Sequence, residues 1–258
     1  MSAEQPIAIP LRSSSERPAV GATPLKSARR RWRVSPSQGV HAGTVAVIQH
    51  GALGAEGVLL EVLATRGLEP ATVRLDRGEP LPDPQGLRFA VVIGSASADQ
   101  ELSQPWTEAE IDWLVQANQA HLPVFAVGAG AHALALALGG DSAPIDSGQH
   151  GWITVVSEDQ SAVPAGPWFA WQDRVLRLPP GAQLIARNSV GPQAFRIGPH
   201  LGVQFHPGIT PELIHEWIPR SPQILDYQGI EEATVRDFPS SQPAARKLFS
   251  AFLDTAAA

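Results

Sequence analysis

The chain has 258 residues, 43% of them hydrophobic and 17% charged, enough apolar material for one large α/β domain or two small ones and too much for wholesale disorder. It contains no cysteine, which excludes disulfides, thiolate metal sites and a cysteine nucleophile. The formal charge of −6 is uneven: residues 1–43 hold seven basic residues against two acidic ones, leaving 12 against 23, or −11, for residues 44–258. A body this acidic repels phosphate backbones, so no nucleic acid partner is expected. No apolar run is long enough to span a bilayer, and the start lacks the continuous apolar segment of a secretory signal, so a cytoplasmic protein without membrane contact is expected.

Residues 1–43 are rich in Ser, Pro, Arg and Ala without a stable period, and read as a disordered leader or as a start placed too far upstream. The run Arg29-Arg30-Arg31-Trp32-Arg33 is read as part of a solvated tail in preference to a nucleic-acid contact. The folded domain is expected over 44–258. Val45-Ala46-Val47-Ile48 fits a buried parallel strand, followed by a helix through Val58, Leu59, Val62 and Leu63 that ends at Gly67. Ala71–Leu75 and Phe89–Ile93 are the next strands, the latter running into Gly94-Ser95-Ala96-Ser97. Thr107 to Ala120 is an amphipathic helix, with Thr107 read as its cap and Glu110 at the capping-box position. Pro123–Val127 is the fourth strand, and Gly128-Ala129-Gly130 opens an alanine- and leucine-rich helix closed by Gly139-Gly140.

Strand and helix alternating at this spacing predict a doubly wound, mostly parallel sheet, whose ligands gather at the carboxyl ends of the strands. Shorter strand-like runs over 151–156 and 181–205 predict a small antiparallel extension. Thr210 is expected to cap a helix carrying Leu213, Ile214 and Trp217, and residues 244–254 form a last amphipathic helix.

Pro123 to His132 with the following Leu138-Gly139-Gly140 resembles the nucleophile elbow of the class I glutamine amidotransferases, Gly-x-Cys-x-Gly-x-Gln. Gly202-Val203-Gln204-Phe205-His206-Pro207-Gly208-Ile209-Thr210 resembles that family's second signature, Gly-x-Gln-Phe-His-Pro-Glu-x-Thr. Ile93-Gly94-Ser95-Ala96 stands where the family has its oxyanion loop, and Gly151-Trp152, Pro179–Ala182 and Gln193–Gly198 read as further family segments. The resemblance covers roughly residues 44–254 and is nearest to the stand-alone type similar to the amidotransferase domain of GMP synthase. It implies the flavodoxin-like fold of that family.

The departures bear on chemistry. In the family a cysteine thiolate attacks the glutamine amide, a histidine activates it and a glutamate orients the histidine. Matched in order, those positions are Gly128, His206 and Gly208, so the resemblance implies a triad of which the histidine alone survives. The elbow glutamine is matched by His132, and Gln149 and Trp171-Gln172 replace other polar family residues. Backbone-shaping positions are retained, which is the pattern of a pseudoenzyme. The remnant pocket is expected at Gly94, Ser95, Ala129 and His132.

His206 reads as a surviving base or, preferably, as a histidine kept for packing at a strand end. His132, His150 and His206 around the old pocket would suit zinc, but their spacing fits no metal signature and no metal or cofactor is expected. Ser95 and Ser97 are better explained as turn residues than as nucleophiles. The expected function is a non-catalytic binding or regulatory subunit, with a synthase or other protein partner and a small amide or carboxylate ligand. Two alternatives remain: an enzyme of altered chemistry using His206 as base on a different amide or ester, and a member of an ammonia-transfer complex whose glutaminase is another chain.

Overall fold

The computed structural model describes residues 43–94, 101–221 and 226–256. The leader and Ser95, Ala96 and Ser97 lie outside these residues. The strands are β1 (Thr44–Gln49), β2 (Pro70–Arg74), β3 (Leu87–Ile93), β4 (Val124–Val127), β5 (Asp141–Ser157), β6 (Gly166–Arg177), β7 (Gln183–Arg187), β8 (Pro192–Ile197) and β9 (His200–Val203). The helices are α1 (Gly57–Thr65), α2 (Thr107–Gln119), α3 (Ala129–Ala137), α4 (Pro211–Trp217) and α5 (Tyr227–Ala256).

The strands form one sheet in the order β2-β1-β3-β4-β9-β8-β7-β5-β6. β2, β1, β3, β4 and β9 pair in parallel, and β8, β7, β5 and β6 continue antiparallel. The expected doubly wound sheet with an antiparallel extension is therefore present. The order reverses between β1 and β3, and such a switch point opens a crevice at the carboxyl ends of the strands.

The apolar runs of β1, β3 and β4 are buried on both faces because each strand supplies two cores by alternation. Val45, Val47, Phe89, Val91 and Phe125 face α1 and the end of α5, where Leu248, Phe249 and Phe252 pack. Ala46, Ile48, Ala90, Val92 and Ala126 face α2 and α3, through Trp113, Leu114 and Leu134. A third, smaller core lies over the carboxyl ends and joins Ala55, Phe169, Trp171, Ile209, Ile214, Trp217 and Ile230.

Three expectations are corrected. Thr107 is the first residue of α2 instead of its cap, its hydroxyl donating to the Glu101 carbonyl at 2.8 Å, and Glu110 turns inward to His50 instead of back to the helix start. β6 has no counterpart among the expected strands. Its Trp168-Phe169-Ala170-Trp171-Gln172 run is buried on both faces, so it lacks the alternation that marks a half-buried strand. The last helix begins at Tyr227 and continues through Pro239 and Pro243. The Ser240 and Ser241 hydroxyls donate to the Asp237 and Phe238 carbonyls in that stretch. Its first half is tied down by the Trp152 indole N–H donating to Thr234 Oγ1 at 2.9 Å. Among the described residues no helix is long and apolar enough to cross a membrane.

Candidate functional site

The carboxyl ends of β1, β3, β4 and β9 deliver His50, Gly94, Gly128 and the Gln204–Gly208 segment to one place. Main-chain bonds fix each of them: His50 N–H to Ile93 O (3.2 Å), Gly94 N–H to Val127 O (3.0 Å), Gly128 N–H to Val203 O (2.9 Å) and His206 N–H to Phe169 O (2.8 Å).

Gly128 is the cap between β4 and α3, with φ +59° and ψ −123°. That conformation is open to glycine and strained for any residue with a Cβ. Its carbonyl starts the helix by accepting from Ala131 and His132 N–H. The space in front of it is filled: a Cβ built on Gly128 would stand 2.6 Å from His206 Cε1 and 3.2 Å from Nε2. Carbon atoms in contact sit about 3.5–4 Å apart.

His206 is fully buried, its ring edge-on to Trp217 with centroids 4.8 Å apart, and neither ring nitrogen has a hydrogen-bond partner among the described residues. Burial drives its pKa down to about 4, against an opposing pull from the Glu101 charge. The Trp217 indole N–H donates to the Leu53 carbonyl at 3.2 Å, so the ring is held over the imidazole from outside.

Gly208 forms a parallel bridge with Glu56, and a Cβ there would overlap the Ala55 carbonyl oxygen. This is backbone against backbone, so no rotamer relieves it. Glu56, across the bridge, accepts from the Gln49 amide, and burial raises its carboxyl pKa.

Gly94 and Ala129 adjoin: a Cβ on Gly94 would lie 2.5 Å from Ala129 N and 2.9 Å from Glu101 Oε2. A carboxylate therefore sits beside the first turn of α3. His132, also expected in the pocket from the sequence, interacts with Gln204 and, through its Nδ1, with β5. Its Nδ1 is 2.7 Å from Ser142 Oγ, which accepts from Arg174 Nε at 2.8 Å. Arginine can only donate, so the serine hydrogen is left for His132 Nδ1, and Nε2 carries the ring proton. A serine and a histidine at this distance have the geometry of a nucleophile and base. Burial first, and then the Arg174 charge, lower the His132 pKa to about 3, too weak for a base at neutral pH.

His150 lies 3.0 Å from Asp173, so the three histidines of the zinc reading have three separate sets of neighbours. Among the described residues no His, Asp and Glu cluster is arranged to hold a metal ion. Three residues outside the family signatures complete the site: His50, Glu101 and Glu110. His50 carries a signal in the sequence, because it is the residue at which an apolar parallel strand stops.

No family model matches the chain. It is 33% identical over 105 residues to a glutamine-hydrolysing GMP synthase of Thermomicrobium roseum, a match covering 38% of this chain and 19% of that protein. It is 31% identical over 96 residues to one subunit of a glutamine-hydrolysing GMP synthase of Ignicoccus hospitalis, covering 34% of this chain and 51% of that one. The matches thus span about half or less of these relatives. The structure resembles a glutamine amidotransferase of Methylobacillus flagellatus (TM-score 0.74, 21% identity, 83% of this chain and 95% of that chain). It also resembles one of Thermotoga maritima (TM-score 0.72, 19% identity, 83% and 99%). The strand order agrees with these likenesses, and the described residues have the fold of the two glutamine amidotransferases, a mostly parallel sheet continued by antiparallel strands.

Proposed function

We propose that this protein is an amidotransferase-like pseudoenzyme, without glutaminase activity, that acts in the cytoplasm as a binding or regulatory subunit. Gly128 takes the nucleophile position, His206 that of the base and Gly208 that of the orienting carboxylate. The observation that carries this reading is the His206 ring lying in the space a side chain on Gly128 would occupy. Thioester chemistry needs a sulfur at that point and an imidazole beside it. Here no cysteine occurs anywhere in the chain, and the imidazole occupies the space that a side chain on Gly128 would need.

A synthase or other protein partner is the fitting role for such a domain, supported by a relative that is itself named as one subunit of a synthase. For a ligand at Gly94 and Ala129, a neutral amide suits the surroundings better than a carboxylate, because the Glu101 carboxylate lies beside Gly94. Use of His206 as base on another substrate is disfavoured by a pKa of about 4 and complete burial.

Purified full-length protein incubated with glutamine and a panel of amides is expected to release no ammonia above a His206→Ala control. Steady release above that control would overturn the pseudoenzyme reading. Affinity purification from the native host is expected to bring down a stoichiometric partner, and a strictly monomeric isolate would overturn the subunit role.

A further inference from the structure

β1 ends by delivering a histidine between two carboxylates. His50 Nδ1 is 2.8 Å from Glu101 Oε2 and Nε2 is 2.6 Å from Glu110 Oε1. His50 and Glu110 have side chains 1% exposed and Glu101 9%, so the three groups meet away from bulk water. An ionised carboxylate accepts and does not donate, so satisfying both contacts requires hydrogen on both ring nitrogens, which is the imidazolium. A neutral ring offers one N–H and turns a lone pair towards the other carboxylate.

The contacts join β1, the turn that leads into α2, and α2 itself. The turn is held by its main chain as well, through the Thr107 hydroxyl on the Glu101 carbonyl. Among the described residues Glu101 and Glu110 are the ionisable groups that act on His50, and the Glu101 charge also acts on His206.

We propose that His50, Glu101 and Glu110 form a proton-operated clamp: the charged ring holds the start of α2 against the carboxyl ends of β1 and β3, and loss of its proton at alkaline pH releases it. Neutralisation leaves two buried carboxylates across an uncharged ring, an arrangement that like-charge repulsion and desolvation both oppose. Burial is the largest single influence on His50 and lowers its pKa, yet the two carboxylates together outweigh it and hold the pKa well above the ordinary 6.5. The sign follows from linkage. The clamp's stabilisation is complete below 6.5 and is lost as pH rises through the raised folded-state value, the unfolding constant growing about tenfold per pH unit in that window.

The proposal is independent of whether glutaminase activity is absent. Side-chain 15N NMR of the full chain at pH 8 is expected to show both His50 ring nitrogens protonated, and a neutral His50 ring at pH 8 overturns the clamp. Thermal unfolding between pH 6 and 10 is expected to show a falling midpoint on the alkaline side. Glu110→Gln is expected to end that fall at least about one pH unit lower, and so to make it smaller, its onset near 6.5 being set by the unfolded chain. A flat alkaline limb in the wild type, or an unmoved one in a folded Glu110→Gln, overturns it. Amide exchange at Glu101–Thr107 is expected to lose protection at alkaline pH before the sheet does. Loss only together with global unfolding overturns the release. If Glu110→Gln fails to fold, the three wild-type measurements decide.

Discussion

His206 Cε1 lies 2.6 Å from the point where a Cβ on Gly128 would stand. In the proposed reading, two groups that a triad would set side by side at hydrogen-bonding distance are here a ring and a residue without a side chain. The relationship makes the backbone of the turn and the packing of the imidazole interdependent, and it can be tested from either residue.

Gly128→Ala is expected to cost roughly 1–3 kcal/mol, since φ +59° with ψ −123° is strained for alanine and the new methyl meets His206. Urea unfolding measures the loss. In a His206→Ala background the same substitution should cost less, because the steric part is removed and the backbone part alone remains. Equal costs in both backgrounds would show that the ring yields freely.

Introducing the residues that the proposed reading assigns to a triad, Gly128→Cys with Gly208→Glu, is expected to yield no glutamine hydrolysis and a loss of at least about 2 kcal/mol, because a Cβ at Gly208 overlaps the Ala55 carbonyl. Gly208→Ala isolates that contact. An alanine variant as stable as the wild type would show that the bridge between Glu56 and Gly208 can open, and would restore the double variant as a fair test of the pocket.

The parallel half of the sheet was legible because β1, β3 and β4 are unbroken apolar runs, and two-sided burial demands such runs. As candidate positions only, Gly128, Gly208 and His206 were legible from the order of the two motifs. Their mutual geometry was not: that the imidazole fills the glycine's space depends on Trp217 packing from α4. Glu110 shows how local reading misleads. Three residues after a threonine it fits a capping box, but its partner is 60 residues away in sequence, and no periodicity records such a pair. His132 has the same character, being set by Ser142 and Arg174 on β5 and β6. The early start of α5 was hidden by Pro239 and Pro243, which mark a helix boundary unless tertiary contacts such as that of Thr234 with Trp152 hold the preceding turns.

Stability is expected to fall on the acid side through three histidines that fold neutral. His206 and His200 are lowered to about 4 and His132 to about 3, in each case chiefly by burial. Below 6.5 the unfolded chain takes up protons that the native chain refuses. Each group's contribution is therefore present above 6.5 and is lost as pH falls towards its folded value, at about 1.4 kcal/mol per pH unit per histidine. His200→Gln should reduce the slope between pH 6 and 5 by about one third, read from urea midpoints across that range. An unchanged slope would mean that His200, which is bonded to Asn118 at 3.1 Å, titrates normally.

Trp217→Ala is expected to be the most damaging single change at the site. The indole is fully buried among Phe169, Trp171 and His206, and its N–H is satisfied by Leu53. Truncation removes that packing and leaves a cavity, a loss of about 3–5 kcal/mol. Water entering beside the imidazole would also relieve the desolvation that lowers the His206 pKa, so its NMR titration should move up from about 4 towards the ordinary 6.5. Added indole should refill the space, raising the melting temperature of the variant and returning the His206 titration to low pH. Stabilisation by indole without a change at His206 would place the cavity elsewhere. A normal His206 titration in the wild type would remove the premise that Trp217 seals the ring from water.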